Sequence, residues 1–357
     1  MMRFTPNRTP AHSAFTFKST ASRRMSLCLA LTLPLILAAC SDDDMGDMAN
    51  GNAMNELPVG QDQPFELRFA AVHGDMPVTC GQAIENLGIG GQSSMQVGDL
   101  RFYVSDVELL DANGQAIAHT LDTNEFQYRS DDGEVALIDL TDTSTGACAG
   151  DGLNFVEGTE RVNATISGLA TDAAIESVRF SVGLPQPLMK AVIAENTLEG
   201  APSPMNEMYW SWASGYRHFV MNISTAHSDG SIGSGNVHVG SRGCTGEGEG
   251  ENALETIDQC RSVNTPKVEL SGLQADSVIA VDVASVVADV DFLNNVTDEN
   301  REPVLDETGA IVTQSGVACH SAPVMMQPDC GPVFANMGLN PEDGTADAAS
   351  NIVFSVR

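Results

Sequence analysis

Basic residues are scarce in this chain: 17 Lys and Arg stand against 48 Asp and Glu, for a formal charge of −31 over 357 residues. The shortage argues against nucleic acid and anionic membrane surfaces as partners held by charge, and favours solubility, cations or saline surroundings. Aromatic residues are also few, at 5 % with two Trp and four Tyr, so a local cluster of them stands out. No nucleophile elbow, phosphate-cradling glycine loop or His-Glu-x-x-His occurs, which removes the common hydrolase and nucleotide-dependent classes. Internal repeats are absent as well, and the chain is not expected to be an enzyme.

What is present begins with a leader. The first 39 residues carry Arg3, Arg8, Lys18, Arg23, Arg24 and no acid, followed by an apolar run from Leu27 to Ala39. That run is too short to span a bilayer, and it ends at Leu37-Ala38-Ala39-Cys40, small residues before a cysteine. This pattern is a lipobox, so residues 1–39 are read as a lipoprotein signal peptide and Cys40 as the lipidated N-terminus. A lipid with more than one chain on Cys40 gives stable attachment. Ser41, where Asp favours inner-membrane retention, leans towards the outer membrane, on its periplasmic side or surface. Cleavage leaves 12 basic residues against 48 acids, a charge of −36.

Six cysteines remain once Cys28 leaves with the leader and Cys40 is lipidated: Cys80, Cys148, Cys244, Cys260, Cys319 and Cys330. An even number in an exported chain implies three disulfides. Short separations favour Cys244 with Cys260 and Cys319 with Cys330, leaving Cys80 for Cys148. The spacings do not suit a zinc site. Cys319-His320 resembles the end of a haem-attachment motif, but Gly316 stands where its first cysteine belongs, so no haem is expected in this chain.

Residues 40–63 are acidic and rich in Gly and Asn, too poor in apolar groups to fold, and form a tether. From residue 64 to 357, apolar residues alternate in short bursts: Phe65, Leu67, Phe69; Leu100, Phe102, Val104; Val178, Phe180, Val182; Phe219, Met221, Ile223. Period two means half-buried strands. Asp111-Ala112-Asn113-Gly114 and Asp131-Asp132-Gly133 supply turns between them. The expected fold is mainly β: one sandwich-like domain with long loops, three disulfides and few short helices, near Ala284–Asn294 and Val333–Met337.

The densest chemical feature is Met205 to Tyr216, which holds Trp210, Trp212, Tyr209 and Tyr216. Such a cluster is a packing unit, a redox-active aromatic site or a platform for stacking sugars. Histidines are the other candidates: His73, His119, His218, His227, His238 and His320. Imidazole is the natural ligand for copper where thiols are tied up as disulfides, although no pair shows a metal-binding spacing. Met205, Met208, Met325 and Met326 offer soft thioethers or simply fill space.

Read in order, several segments resemble the MbnP-like copper-binding proteins, also described as metallo-mystery pair system four-Cys motif proteins. They are Cys80-Gly81; Asp99 through Val107; Phe126-Gln127 with Ala136 through Asp139; Phe180 through Pro185; Met208 through Trp212 with Gly215-Tyr216; Val237 through Ser241 with Gly243-Cys244; Cys260; Cys319; and Cys330 through Phe334 with Gly338-Leu339. The resemblance implies an exported β-rich protein that binds copper and is the substrate of a di-haem cytochrome c peroxidase of the MauG type (MbnH-like), which converts a tryptophan to kynurenine. It points to Trp210 and Trp212 without choosing between them. It supports His238 as a metal ligand. Leu188-Met189-Lys190 replaces the family's Asn-His, so His73 or His218 is a candidate substitute, and Phe126-Gln127 replaces its Trp-Gln. The rival expectation is a metal-free structural or surface-interaction lipoprotein that keeps the fold; a carbohydrate-binding module is the third.

The leader makes a direct prediction. Cys40→Ser leaves the precursor without lipid, so the protein moves from the detergent phase to the aqueous phase on Triton X-114 partitioning. A variant still partitioning with detergent would place the anchor elsewhere.

Overall fold

The computed structural model describes residues 62–79, 81–141, 162–171, 173–195, 200–211, 215–244, 260–300 and 302–357. The leader, Cys40, nearly all of the tether, Cys80, Cys148 and Trp212 lie outside them.

The alternating bursts become strands. In the strand Gln63–His73, Phe65, Leu67 and Phe69 are buried while Glu66 and Arg68 are exposed. This strand belongs to a six-stranded sheet, where Val278–Asp282 runs parallel to it on one side and Thr165–Ala170 antiparallel on the other. The larger, twelve-stranded sheet is built on the 18-residue strand Ser93–Leu110. Its central order runs Lys267–Ser271, Ser177–Val182, Ser93–Leu110, Gly215–His227, Ile232–Gly240, Thr313–Cys319, and Gly133–Asp139 also pairs with the long strand.

The two sheets meet over one apolar core, which gives the expected mainly β sandwich. Phe102 is its hub: its ring lies 5.7 Å from Phe69, 5.7 Å from Phe354 and 5.9 Å from Phe219. Such contacts, edge-on with Phe69 and Phe354 and stacked with Phe219, add a fraction of a kcal/mol to about 1.5 kcal/mol each beyond area burial. Asp111 accepts backbone N–H bonds from Asn113 and Gln115 at 2.8 Å each, and Gly114 takes φ 74°; this is the hairpin turn anticipated from Asp-Ala-Asn-Gly. Disulfides join Cys244 to Cys260 and Cys319 to Cys330, with Cα separations of 4.0 and 4.8 Å. The third expected bridge falls on residues outside those described.

Two helix expectations need correction. The segment expected to be helical over 284–294 is helical only over Val283–Val286, capped by Asp282, whose carboxylate accepts from the backbone of Ala284 and Ser285. Val283, Val286, Val287 and Val290 are all buried, so packing decides this stretch rather than helical periodicity, and the positive φ of Asp289 breaks it. The expected piece at 333–337 is the end of a helix Cys330–Asn336. A third helix, Gln186–Glu195, is masked in the sequence by Pro185 just before it and Pro187 in its first turn.

The opposite face of the large sheet is unusual. On the long strand, Leu100, Phe102 and Val104 face the core, while Asp99, Arg101 and Tyr103 point the other way, yet all six are buried. The register with the neighbouring strand steps from Asn222–Asp99 to Ile223–Val97, so Gly98 is an extra residue, a bulge that re-aims Asp99 after the inward-facing Val97. Asp99 receives Arg101 Nε at 2.8 Å and Nη2 at 2.7 Å, and Thr141 Oγ1 at 3.1 Å. Across the sheet, Asp139 sits opposite Arg101 and accepts the Thr141 backbone N–H at 3.0 Å.

Burial pushes the Asp139 carboxyl up to about 6, against the opposing pull of the Thr141 bond and the Arg101 charge. In the unfolded chain it titrates near its ordinary value of 3.8. The folded state therefore holds a proton that the unfolded state has lost between about pH 4 and 6, and stability falls as pH rises through that window, by on the order of 3 kcal/mol. Asp139→Asn, which keeps an acceptor for Thr141, should remove this component. Urea midpoints at pH 4.5 and 7 are expected to lie closer together in the variant than in the wild type; an unchanged difference would rule out Asp139 as its source.

Candidate metal centre beside Trp210

The strands Ile232–Gly240 and Thr313–Cys319 run parallel, with Val237 opposite Cys319. One step further along the same register sets His238 beside His320. The Cys319–Cys330 disulfide holds the end of the second strand. Ser321 holds the turn, donating to the His238 carbonyl at 3.0 Å and accepting the Gly240 N–H at 2.7 Å. The two imidazole centroids are 4.9 Å apart and their Nδ1 atoms 3.2 Å apart.

His238 is only 8 % exposed and His320 is partly buried. Burial, followed by the charges of Arg217, His320 and Arg101, pushes His238 down to about 3. Burial, then Arg242 and Arg217, also lowers His320. Both rings are therefore neutral at physiological pH, the state in which imidazole offers a lone pair. His238 Nε2 lies 2.8 Å from Asn222 Oδ1, and Asn222 Nδ2 donates to Asp99 Oδ2 at 3.2 Å, so the polar face of the sheet reaches the histidine pair directly.

Trp210 closes a third side. It lies on the strand Tyr209–Ser211, which pairs with Gly215–His227, and its ring centroid is 6.3 Å from each histidine. Arg242 stacks over the indole at 5.3 Å while its Nε and Nη2 donate to the His320 carbonyl at 3.2 and 2.8 Å. One guanidinium thus ties the tryptophan to the histidine strand. Beneath them Tyr103, Tyr216, Met205, Met208 and Met189 form a second apolar cluster, in which Tyr103 donates to the Pro204 carbonyl at 2.9 Å.

The structure brings His238 together with Trp210 but not with the other two histidines singled out from sequence. His73 ends the strand Gln63–His73 in the smaller sheet and is exposed. His218 is fully buried against Gly183, its Nδ1 3.2 Å from the Asn264 carbonyl, and burial pushes it down to about 4. Met205 and Met208 are core residues, whereas Met325 is 98 % exposed. The imidazole that stands beside His238 is instead that of His320. Its signal was present in Cys319-His320, and strand pairing was needed to read it. No group of three His, Cys, Asp or Glu side chains with metal-binding geometry occurs among the described residues; the centre is a histidine pair with an aromatic third wall.

The MbnP family description matches residues 62–305. Among solved structures, MbnP from Methylosinus trichosporium superposes with a TM-score of 0.58 at 27 % identity, covering 83 % of this chain and 98 % of that one. No functionally curated protein matches significantly. A family match over well more than half the chain, together with a shared fold over nearly the whole of that protein, establishes that the chain belongs to the MbnP family.

Proposed function

We propose that this protein is an exported lipoprotein that binds copper at His238 and His320, and that Trp210 is the residue a di-haem peroxidase of the MauG type oxidises to kynurenine. The observation that carries the reading is the meeting of two neutral imidazoles, Nδ1 to Nδ1 at 3.2 Å, beside Trp210.

The donor set, two imidazole nitrogens, fits a late first-row transition metal. Nitrogen ligands bond such ions at about 2 Å, so two nitrogens at this separation can share one. Buried imidazoles without a neighbouring carboxylate suit copper better than magnesium or calcium, which need oxygen ligands. The chain's own residues present nitrogen, shield His238 from water and hold the aromatic wall in place.

Oxidation of Trp210 balances with peroxide as the oxidant used by the partner. Two peroxide molecules each deliver one oxygen across the indole C2–C3 bond, which breaks to give N-formylkynurenine and two waters. Hydrolysis then releases formate and leaves kynurenine. The net change is one oxygen gained and one carbon lost, and it exposes an aniline nitrogen and a ketone on the side chain that faces the histidines. The acidic surface favours a cationic partner or metal at the encounter stage.

Protein from the native host should carry copper and a gain of about 4 Da, assigned to Trp210 rather than Trp212 by fragmentation. His238→Ala and His320→Ala should each weaken copper affinity at least about tenfold, with His73→Ala and His218→Gln leaving it within about threefold. A gain located on Trp212 would move the modification. Unmodified tryptophan with no saturable copper would support the metal-free reading instead.

A further inference from the structure

We infer that Asn222, held by Asp99, is a positioning residue that fixes His238 in the tautomer protonated at Nε2, so that Nδ1 is the atom presented to the metal. The inference deepens the copper reading and rests on it for its functional meaning, but the tautomer itself is a property of the metal-free chain.

The hydrogen bonds run from the buried ion pair outward. Asp99 is gripped at both oxygens by Arg101 and receives Thr141 as well, so it can only accept hydrogen bonds. Of the two ends of the Asn222 amide, only the nitrogen can donate to it, and Nδ2 does so at 3.2 Å. The amide orientation is thereby settled by the network rather than by the shape of the group. Its oxygen must then face His238, and an amide oxygen only accepts. The 2.8 Å contact with His238 Nε2 is therefore an N–H donated by the ring. A neutral imidazole has one N–H, so Nδ1 keeps its lone pair and points it at His320. Without metal, His320 Nδ1–H donates into that lone pair.

Strand register supplies the reach. Asn222 lies directly opposite Asp99 on one side and opposite Asn236 on the other, which puts His238, two residues beyond Asn236, on its diagonal. Every link is buried: Asp99, Arg101, Thr141, Asn222 and His238 are all shielded from solvent. Water is thus kept from competing for Nε2. The Asp99-Leu100-Arg101 segment, which the histidines alone leave unexplained, becomes the base of a ligand-orienting relay. Groups that orient metal-binding histidines in this way typically account for 10- to 100-fold in metal affinity.

The test uses full-length metal-free protein labelled with 15N, reading long-range 1H–15N correlations of the imidazoles, with His238 assigned against His238→Gln. The expected pattern is a protonated Nε2 and a pyridine-type Nδ1. A proton on Nδ1 in the wild type overturns the inference, and this result needs no variant to fold. Asn222→Leu, similar in size but without an acceptor, should give mixed tautomers and about 10- to 100-fold weaker copper binding; Asp99→Asn, which frees the Asn222 amide to turn over, should do the same to a smaller degree. Unchanged tautomer and affinity in a folded Asn222→Leu would also count against it. If His238 shows the expected tautomer but copper fails to bind, the functional reading falls and the positioning stands. If copper binds with the proton on Nδ1, the reverse holds.

Discussion

The buried ion pair between Asp99 and Arg101 is the constraint from which the functional face follows. Both side chains are essentially inaccessible, at 0 and 2 % exposure, and two charges removed from water cost several kcal/mol each before their attraction and hydrogen bonds offset it. A pair of well-packed apolar residues would serve stability at least as well. What the pair provides instead is direction. A carboxylate committed to a guanidinium is an obligate acceptor, and each neighbour must orient to suit it. The Gly98 bulge that turns Asp99 away from the core is therefore as much part of the centre as the histidines.

This arrangement divides the labour of one sheet between its faces. Towards the smaller sheet, Phe102, Phe219 and Val239 bury apolar surface, and each fully buried large side chain contributes about 1.5–3 kcal/mol. Away from it, Arg101, Asn222 and His238 are laid out on neighbouring strands at fixed spacing. A rigid, doubly covered sheet sets donor positions far more tightly than loops do. Trp210, on the short strand Tyr209–Ser211, and His320, one residue past the end of its strand, are both tied back by Arg242.

Much of the architecture was legible in the sequence because it is written in local rules. Phe65, Leu67 and Phe69 alternate, and they form a strand; Asp111 to Gly114 has turn chemistry, and it forms a turn; Cys244 with Cys260 and Cys319 with Cys330 are close in sequence, and they pair. The segment Val283–Val290 misled because buried β-branched residues look alike in a helix turn and in a packed loop. The centre was only half legible. His238 stood in a recognisable segment, but its partner His320 lies 82 residues away and becomes adjacent only through the parallel pairing of two strands. That pairing is a non-local contact that no spacing within the chain encodes. His73 and His218 were equally plausible imidazoles until the fold placed His73 in the other sheet and turned His218, on the strand next to His238, against Gly183 and the Asn264 carbonyl.

The electrostatics of the centre run against those of the whole. The chain has a formal charge of −31, yet burial is the larger cause that lowers His238, and the charges that add to it are those of Arg217, His320 and Arg101. A bare cationic lining of this kind disfavours an approaching divalent ion, while the acidic exterior attracts any cation over longer range, a field that salt screens beyond about 8–10 Å. On the copper reading proposed above, attraction at the surface and discrimination at the site fall to different residues. Arg242 joins the two requirements at one point: stacked on Trp210 and bound to the His320 carbonyl, it adds positive charge without offering a ligand. A carboxylate in its place would raise the imidazole pKa values and invite harder cations, so the sign of the charge beside Trp210 is itself part of how the pair of nitrogens is kept neutral and available.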